Sequence, residues 1–114
     1  MEKLLKELAV IPGVTGTCVF DKIVGVLYTD LQTKLPKSLT ESLGIHFVRL
    51  VQMGRISNLK IQSAHFHFDS QTCDGIPLDT GAVLLIICNS QANSFFIAKT
   101  AVMLVADLDY DQSQ

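Results

Sequence analysis

His65 and His67 stand two residues apart in a run of alternating polarity, a spacing that puts both imidazoles on one face of a strand. Two histidines so placed can ligate a metal ion, provided a third or fourth ligand and fixed neighbours complete the site. His46, Asp69 and Cys73 are the residues that could join them. Solvent-facing or subunit-interface histidines are the plainer reading, so no metal and no other cofactor is expected. At an interface, charging both imidazoles would weaken association as the pH falls through the ordinary histidine range.

The other reactive side chains point away from chemistry. Cys18, Cys73 and Cys88 are widely spaced, form no CxxC pair and lack an evident thiolate-activating neighbour. Buried free thiols in a reducing compartment are expected, which makes the cytoplasm the expected location. Asp21, Asp30, Asp69, Asp74 and Asp79 fall near inferred turns, where turn formation explains them better than paired acid–base catalysis. Gly13, Gly16 and Gly25 fit neither nucleotide-binding glycine pattern. No catalytic residue is assigned, and the chain is expected not to be an enzyme.

Composition points towards assembly instead. A chain of 114 residues suits one domain, 1–114, with a core that needs no disulfide or metal. Its 48% hydrophobic content is high beside 18% charged residues, which implies apolar surface covered by a partner. The net charge of −2 and scattered basic residues argue against nucleic-acid binding. The average conceals an asymmetry. Residues 1–60 carry eight Lys/Arg against five Asp/Glu, a net of +3, and residues 61–114 carry one Lys against six Asp, a net of −5. The opening MEKLLKELAVIPG has acids among its bases and no secretory apolar region. No apolar run approaches the roughly 20 residues of a transmembrane helix.

The elements that must position these residues follow from periodicity. Leu4, Leu5, Leu8 and Ile11 mark a first amphipathic helix, stopped by Pro12 and Gly13. Residues 14–20 and 26–29 read as strands around a turn at 21–25. A long helix begins near Pro36, with Ser38 and Glu41 spaced as a capping box. Its stripe is Leu39, Leu43, Phe47, Leu50, Val51 and Gly54, widened by Ile45 and Val48. Gly44 within it suggests a close helix crossing. From 61 to 69 the period becomes two, with Ala64, Phe66 and Phe68 facing one way and His65 and His67 the other. Residues 72–78 return, and the continuous apolar run at 82–88 reads as a central strand covered on both faces. A last helix spans 96–108, followed by an acidic tail, 109–114, that should fray.

Two segments carry a family resemblance. IPGVTGTCVFDKIVGVL resembles the opening of roadblock/dynein light-chain domains, and AVLLIICNSQANSFFIAKTAVML resembles their closing strand, loop and helix. The resemblance covers essentially the whole chain. It implies an α+β sandwich, a five-stranded mainly antiparallel sheet with three helices in the order helix–strand–strand–helix–strand–strand–strand–helix. It also implies a prokaryotic-type, non-enzymatic homodimer that regulates a small Ras-like GTPase, as an activating or localising partner. The family's dimer face maps onto Leu39, Leu43, Phe47 and Leu50 of the long helix and Ala64, His65, Phe66, His67 and Phe68 of the alternating strand. Arg49, Arg55 and Lys99 are the candidate partner contacts. Ser94 to Lys99 departs from the Gly-aliphatic-Arg element common in the family, keeping a basic residue without the glycine. The alternative functions are a structural adaptor without effect on nucleotide turnover and, behind it, a small-ligand or metal sensor.

Overall fold

The computed structural model describes the backbone of residues 2–31, 37–68, 70–90 and 92–113. Helix α1 (Glu2–Ala9) leads into strands β1 (Val14–Asp21) and β2 (Gly25–Leu31). Helix α2 (Lys37–Ile56), strands β3 (Ala64–Phe68), β4 (Gln71–Pro77) and β5 (Val83–Asn89), and helix α3 (Ser94–Ser113) follow. The five strands form one antiparallel sheet in the order β2-β1-β5-β4-β3. This is the sandwich and element order that the sequence predicts.

The apolar run of β5 takes the middle of the sheet and divides the core by alternation. Val83, Leu85 and Ile87 join Cys18, Phe20, Leu43, Phe47, Val48 and Cys73 beneath α2. Leu84, Ile86 and Cys88 face the other way, among Leu4 and Leu8 of α1 and Ile97, Ala101 and Val105 of α3. Each face of the sheet thus has its own helical cover, which is why β5 has no polar side.

Local chemistry sets the ends of the elements. In the β1–β2 turn, Asp21 Oδ2 accepts the amides of Ile23 (3.1 Å) and Val24 (3.0 Å). Gly25 closes that turn at φ 94°, a left-handed conformation that costs glycine little. Helix α2 ends with Asn58 at φ 60°, while the Leu59 amide bonds Gly54 O at 2.7 Å and the Asn58 amide bonds Arg55 O at 3.1 Å, a Schellman closure. Asn93 caps α3, its Oδ1 accepting the Phe96 amide at 3.0 Å.

Several boundaries differ from the sequence reading. Ser38 lies inside α2 rather than capping it, because the helix has already begun at Lys37; Pro36 is outside the described residues. Strand β3 is confined to Ala64–Phe68, and Asp69 lies outside the described residues. Helix α3 starts at Ser94 and its backbone stays helical to Ser113, through most of the expected tail, since no Gly or Pro interrupts it. Gly44 does not meet a crossing helix. A Cβ there would overlap the ring of Phe20, so glycine lets α2 settle onto the sheet. Gly75 does the same for the ring of Phe47.

All three cysteines are buried free thiols. Burial pushes Cys18 up to about 12 and Cys88 up to about 11, and holds Cys73 well above the usual thiol range. Iodoacetamide at mildly alkaline pH is therefore expected to leave the folded chain unmodified and to alkylate Cys18, Cys73 and Cys88 after unfolding. Mass spectrometry counts the adducts. Rapid labelling of any of the three in the folded chain would contradict their placement.

Candidate functional site

The expected interface stripe of α2 is largely its inward face. Leu43 and Phe47 are buried in the core beneath the helix, and Leu39 and Leu50 are half-buried. Leu43 and Phe47 are thus core residues of this chain. The outward stripe is a different set at helical spacing: Ile45, Arg49, Met53 and Ile56, all exposed. Ile56 is 85% exposed and Met53 64%, a large apolar content for a solvent-facing helix side. Sequence periodicity could not rank the two stripes, because the apolar sector spans most of the helix.

Strand β3 supplies the second part of the surface. It is the last strand of the sheet, paired only with β4, and so presents an open hydrogen-bonding edge among the described residues. Ala64 and Phe66 are half-buried against the α2 core, with the Phe66 and Phe47 ring centroids 4.3 Å apart. His65 and His67 are exposed on the opposite face, as alternation predicts. The side chain of Phe68 lies outside the described residues.

The basic candidates do not form one patch. Arg49 and Arg55 are exposed on α2, and Lys99 is exposed on α3 across the sheet. Arg55 has the richer setting. It lines two adjoining clefts, of about 250 and 370 Å³, that share Val51, Pro77 and Leu78. One cleft reaches Lys22 in the β1–β2 turn and the other reaches Lys60 beyond α2. Lys99 lines a separate cleft of about 270 Å³ with Phe95 and Met103.

Asp74 is the residue whose role sequence reasoning missed. It sits in the middle of β4, within the strand expected at 72–78, is 1% exposed, and its Oδ1 is bonded to Nδ1 of His65. Its Oδ2 is buried without a hydrogen-bond partner. The signal was present in the hairpin: pairing Phe68 with Gln71 across a tight turn brings His65 opposite Asp74. Burial pushes the Asp74 carboxyl up, while the imidazoles of His65 and His67 pull it the other way. Asp30 is likewise in a strand, β2, and not in a turn.

His65→Ala would strip from this buried carboxylate its hydrogen-bond partner among the described residues and is expected to cost about 1–3 kcal/mol. His67→Ala, which loses a ring contact with His65 at 4.6 Å and a weaker electrostatic attraction to Asp74 but no hydrogen bond to it, should cost under about 0.5 kcal/mol. Urea melts of the two variants compare them directly. Equal losses would contradict the role given to the Asp74 bond.

The three histidines do not converge. His46 projects from α2, on the other side of the sheet from His65 and His67, and Cys73 faces the α2 core. Among the described residues no group of three or more His, Cys, Asp or Glu is placed to hold a metal ion. No helix among them is long and apolar enough to cross a membrane.

The arrangement of sheet and helices has close counterparts among solved structures. A Roadblock/LC7 domain from Streptomyces avermitilis superposes with a TM-score of 0.78 over 100% of this chain and 98% of that one, at 15% identity. This chain has the Roadblock/LC7 fold. The gliding protein MglB of Thermus thermophilus matches with a TM-score of 0.74 over 96% of this chain and 88% of its own, at 13% identity. MglB of Myxococcus xanthus gives 0.71 over 98% and 91%, at 11% identity. No family model and no curated protein matches the sequence. The likeness to the Roadblock/LC7 structures is therefore carried by fold, over nearly the full length of each chain.

Proposed function

We propose that this Roadblock/LC7-fold chain is a non-enzymatic homodimeric scaffold that binds and regulates a small Ras-like GTPase in the cytoplasm. The observation that carries the reading is the full-length structural match to a Roadblock/LC7 domain and to two MglB proteins. The resemblance in the opening and closing segments points to the same family, whose bacterial and archaeal members regulate such GTPases as homodimers.

Two surfaces support assembly. The open edge of β3 needs a partner strand or a cover, and the outward apolar residues of α2 lie on the helix that packs across β1, β5 and β4. In such a dimer the contacts come from Ile45, Met53 and Ile56, with Ala64, Phe66 and the histidines at the strand joint. Arg49 and Arg55 then belong to the α2 side of the assembly and Lys99 to the α3 side, so a GTPase would meet one group or the other. In this reading none is catalytic. The scaffold acts by shaping or placing the partner's own nucleotide site.

Sedimentation equilibrium of the chain, alone and mixed with small Ras-like GTPases from the same cell, tests the reading. A dimer alone and a heavier complex that depends on the bound guanine nucleotide are expected. A compact monomer that stays monomeric at high concentration and ignores the GTPase in either nucleotide state would overturn it. A complex with no change in nucleotide turnover would leave the adaptor function in its place.

A further inference from the structure

His65 is held in an unusual way for an exposed residue. Its Nδ1 is engaged by Asp74, a carboxylate that is itself buried in the middle of β4. Donation of Nδ1–H to that carboxylate leaves the lone pair on Nε2, and the side chain is 35% exposed. A histidine that gives one ring N–H to a carboxylate and keeps the lone pair on its other nitrogen has the arrangement of a metal-ligating imidazole, with its orientation fixed.

The second imidazole is already beside it. His67 shares the strand face, its ring centroid 4.6 Å from that of His65 and its plane turned by 82°. Two imidazoles bound to one ion at N–metal distances of about 2.0–2.1 Å have centroids roughly 4.5 Å apart at a right angle and roughly 5.2 Å apart at the tetrahedral angle. The observed separation lies at the short end of that range. His67 is exposed, so rotation about its side-chain bonds can turn a ring nitrogen towards the same point. A cleft of about 370 Å³ lined by Ser63, His65, Asp74, Ser94 and Phe95 adjoins the pair, leaving room for water or another small ligand at the remaining positions.

We propose that His65 and His67 form a two-histidine site for a divalent late first-row transition-metal ion on the outer face of β3, with Asp74 as the buried acceptor that positions His65. The ligand class follows from the donors: paired neutral imidazoles suit Zn²⁺, Cu²⁺ and Ni²⁺ and are poor ligands for Ca²⁺ or Mg²⁺. The cysteines do not compete, being buried, with Cys18 and Cys73 under α2 on the other side of the sheet. The site stands independently of any GTPase partner.

Isothermal titration of the full chain with Zn²⁺ tests the site, with Zn²⁺ as the redox-silent probe. The parent and a His46→Gln control should bind about one ion per chain, and either His65→Gln or His67→Gln should lose at least about tenfold in affinity. Asp74→Asn should weaken binding by about 10–100-fold while leaving both ligands present. Nitrogen-15 spectra of the parent should show Zn²⁺ moving the His65 Nε2 and a His67 ring nitrogen while His65 Nδ1 keeps its proton. His67→Gln removes no hydrogen-bond partner and should melt as the parent does without metal, so it decides the matter even where Asp74→Asn folds poorly. Affinity unchanged in His67→Gln, ring nitrogens that do not respond, or a parent that takes up no Zn²⁺ would each overturn the proposal.

Discussion

Phe47→Ala is expected to cost about 3–5 kcal/mol of folding free energy, enough to remove much of the stability of a domain this size. Phe47 is 1% exposed and its ring covers Gly75, where any side chain would overlap it. The ring also packs against Phe66, with centroids 4.3 Å apart and planes tilted by 59°, joining α2 to the edge strand. Truncation leaves a void floored by the backbone of β4, which its pairing with β3 and β5 keeps from collapsing. Urea denaturation measures the loss. His46→Ala, one residue earlier on the exposed side of the helix, should stay within about 0.5 kcal/mol of the parent. A loss below about 1 kcal/mol for Phe47→Ala would show that α2 is not seated on the sheet as described.

Phe66→Asp is expected to destabilise the chain by roughly 2–4 kcal/mol, combining lost apolar burial with a carboxylate set against the Phe47 ring. Phe66→Leu keeps the apolar contact and should cost under about 1.5 kcal/mol. The contrast tests the register of β3, because a slip of one residue would put His65 and His67 inward and Phe66 in solvent. Thermal melts combined with sedimentation separate unfolding from loss of assembly. A Phe66→Asp protein with the parent's melting temperature and mass would place the wrong face against the core.

The fold was legible because its signals are redundant. The alternation of residues 64–68, the two-sided apolar run of β5 and the Pro-Gly stop after α1 each describe one backbone state and agree on one order of elements. The surfaces were less legible, for a physical reason. Helix α2 is apolar around most of its circumference, so its period locates a helix without saying which apolar stripe the sheet consumes. Leu43 and Phe47 went inward, leaving Ile45, Met53 and Ile56 outside. Asp74 was hidden differently: it falls within the strand read at 72–78, but only the hairpin register reveals the histidine that compensates its burial. Lys99 and Arg55 were grouped by charge, a property that carries no information about which side of a sheet a residue occupies.

The central claim, that this scaffold regulates a small Ras-like GTPase, is tested most directly by the rate of GTP hydrolysis. A small Ras-like GTPase from the same cell is loaded with GTP and followed with and without a molar excess of the chain. The account predicts faster hydrolysis by the GTPase in its presence, with no hydrolysis by the chain alone. Hydrolysis that proceeds at the same rate with and without the chain, with no complex formed in either nucleotide state, would contradict it.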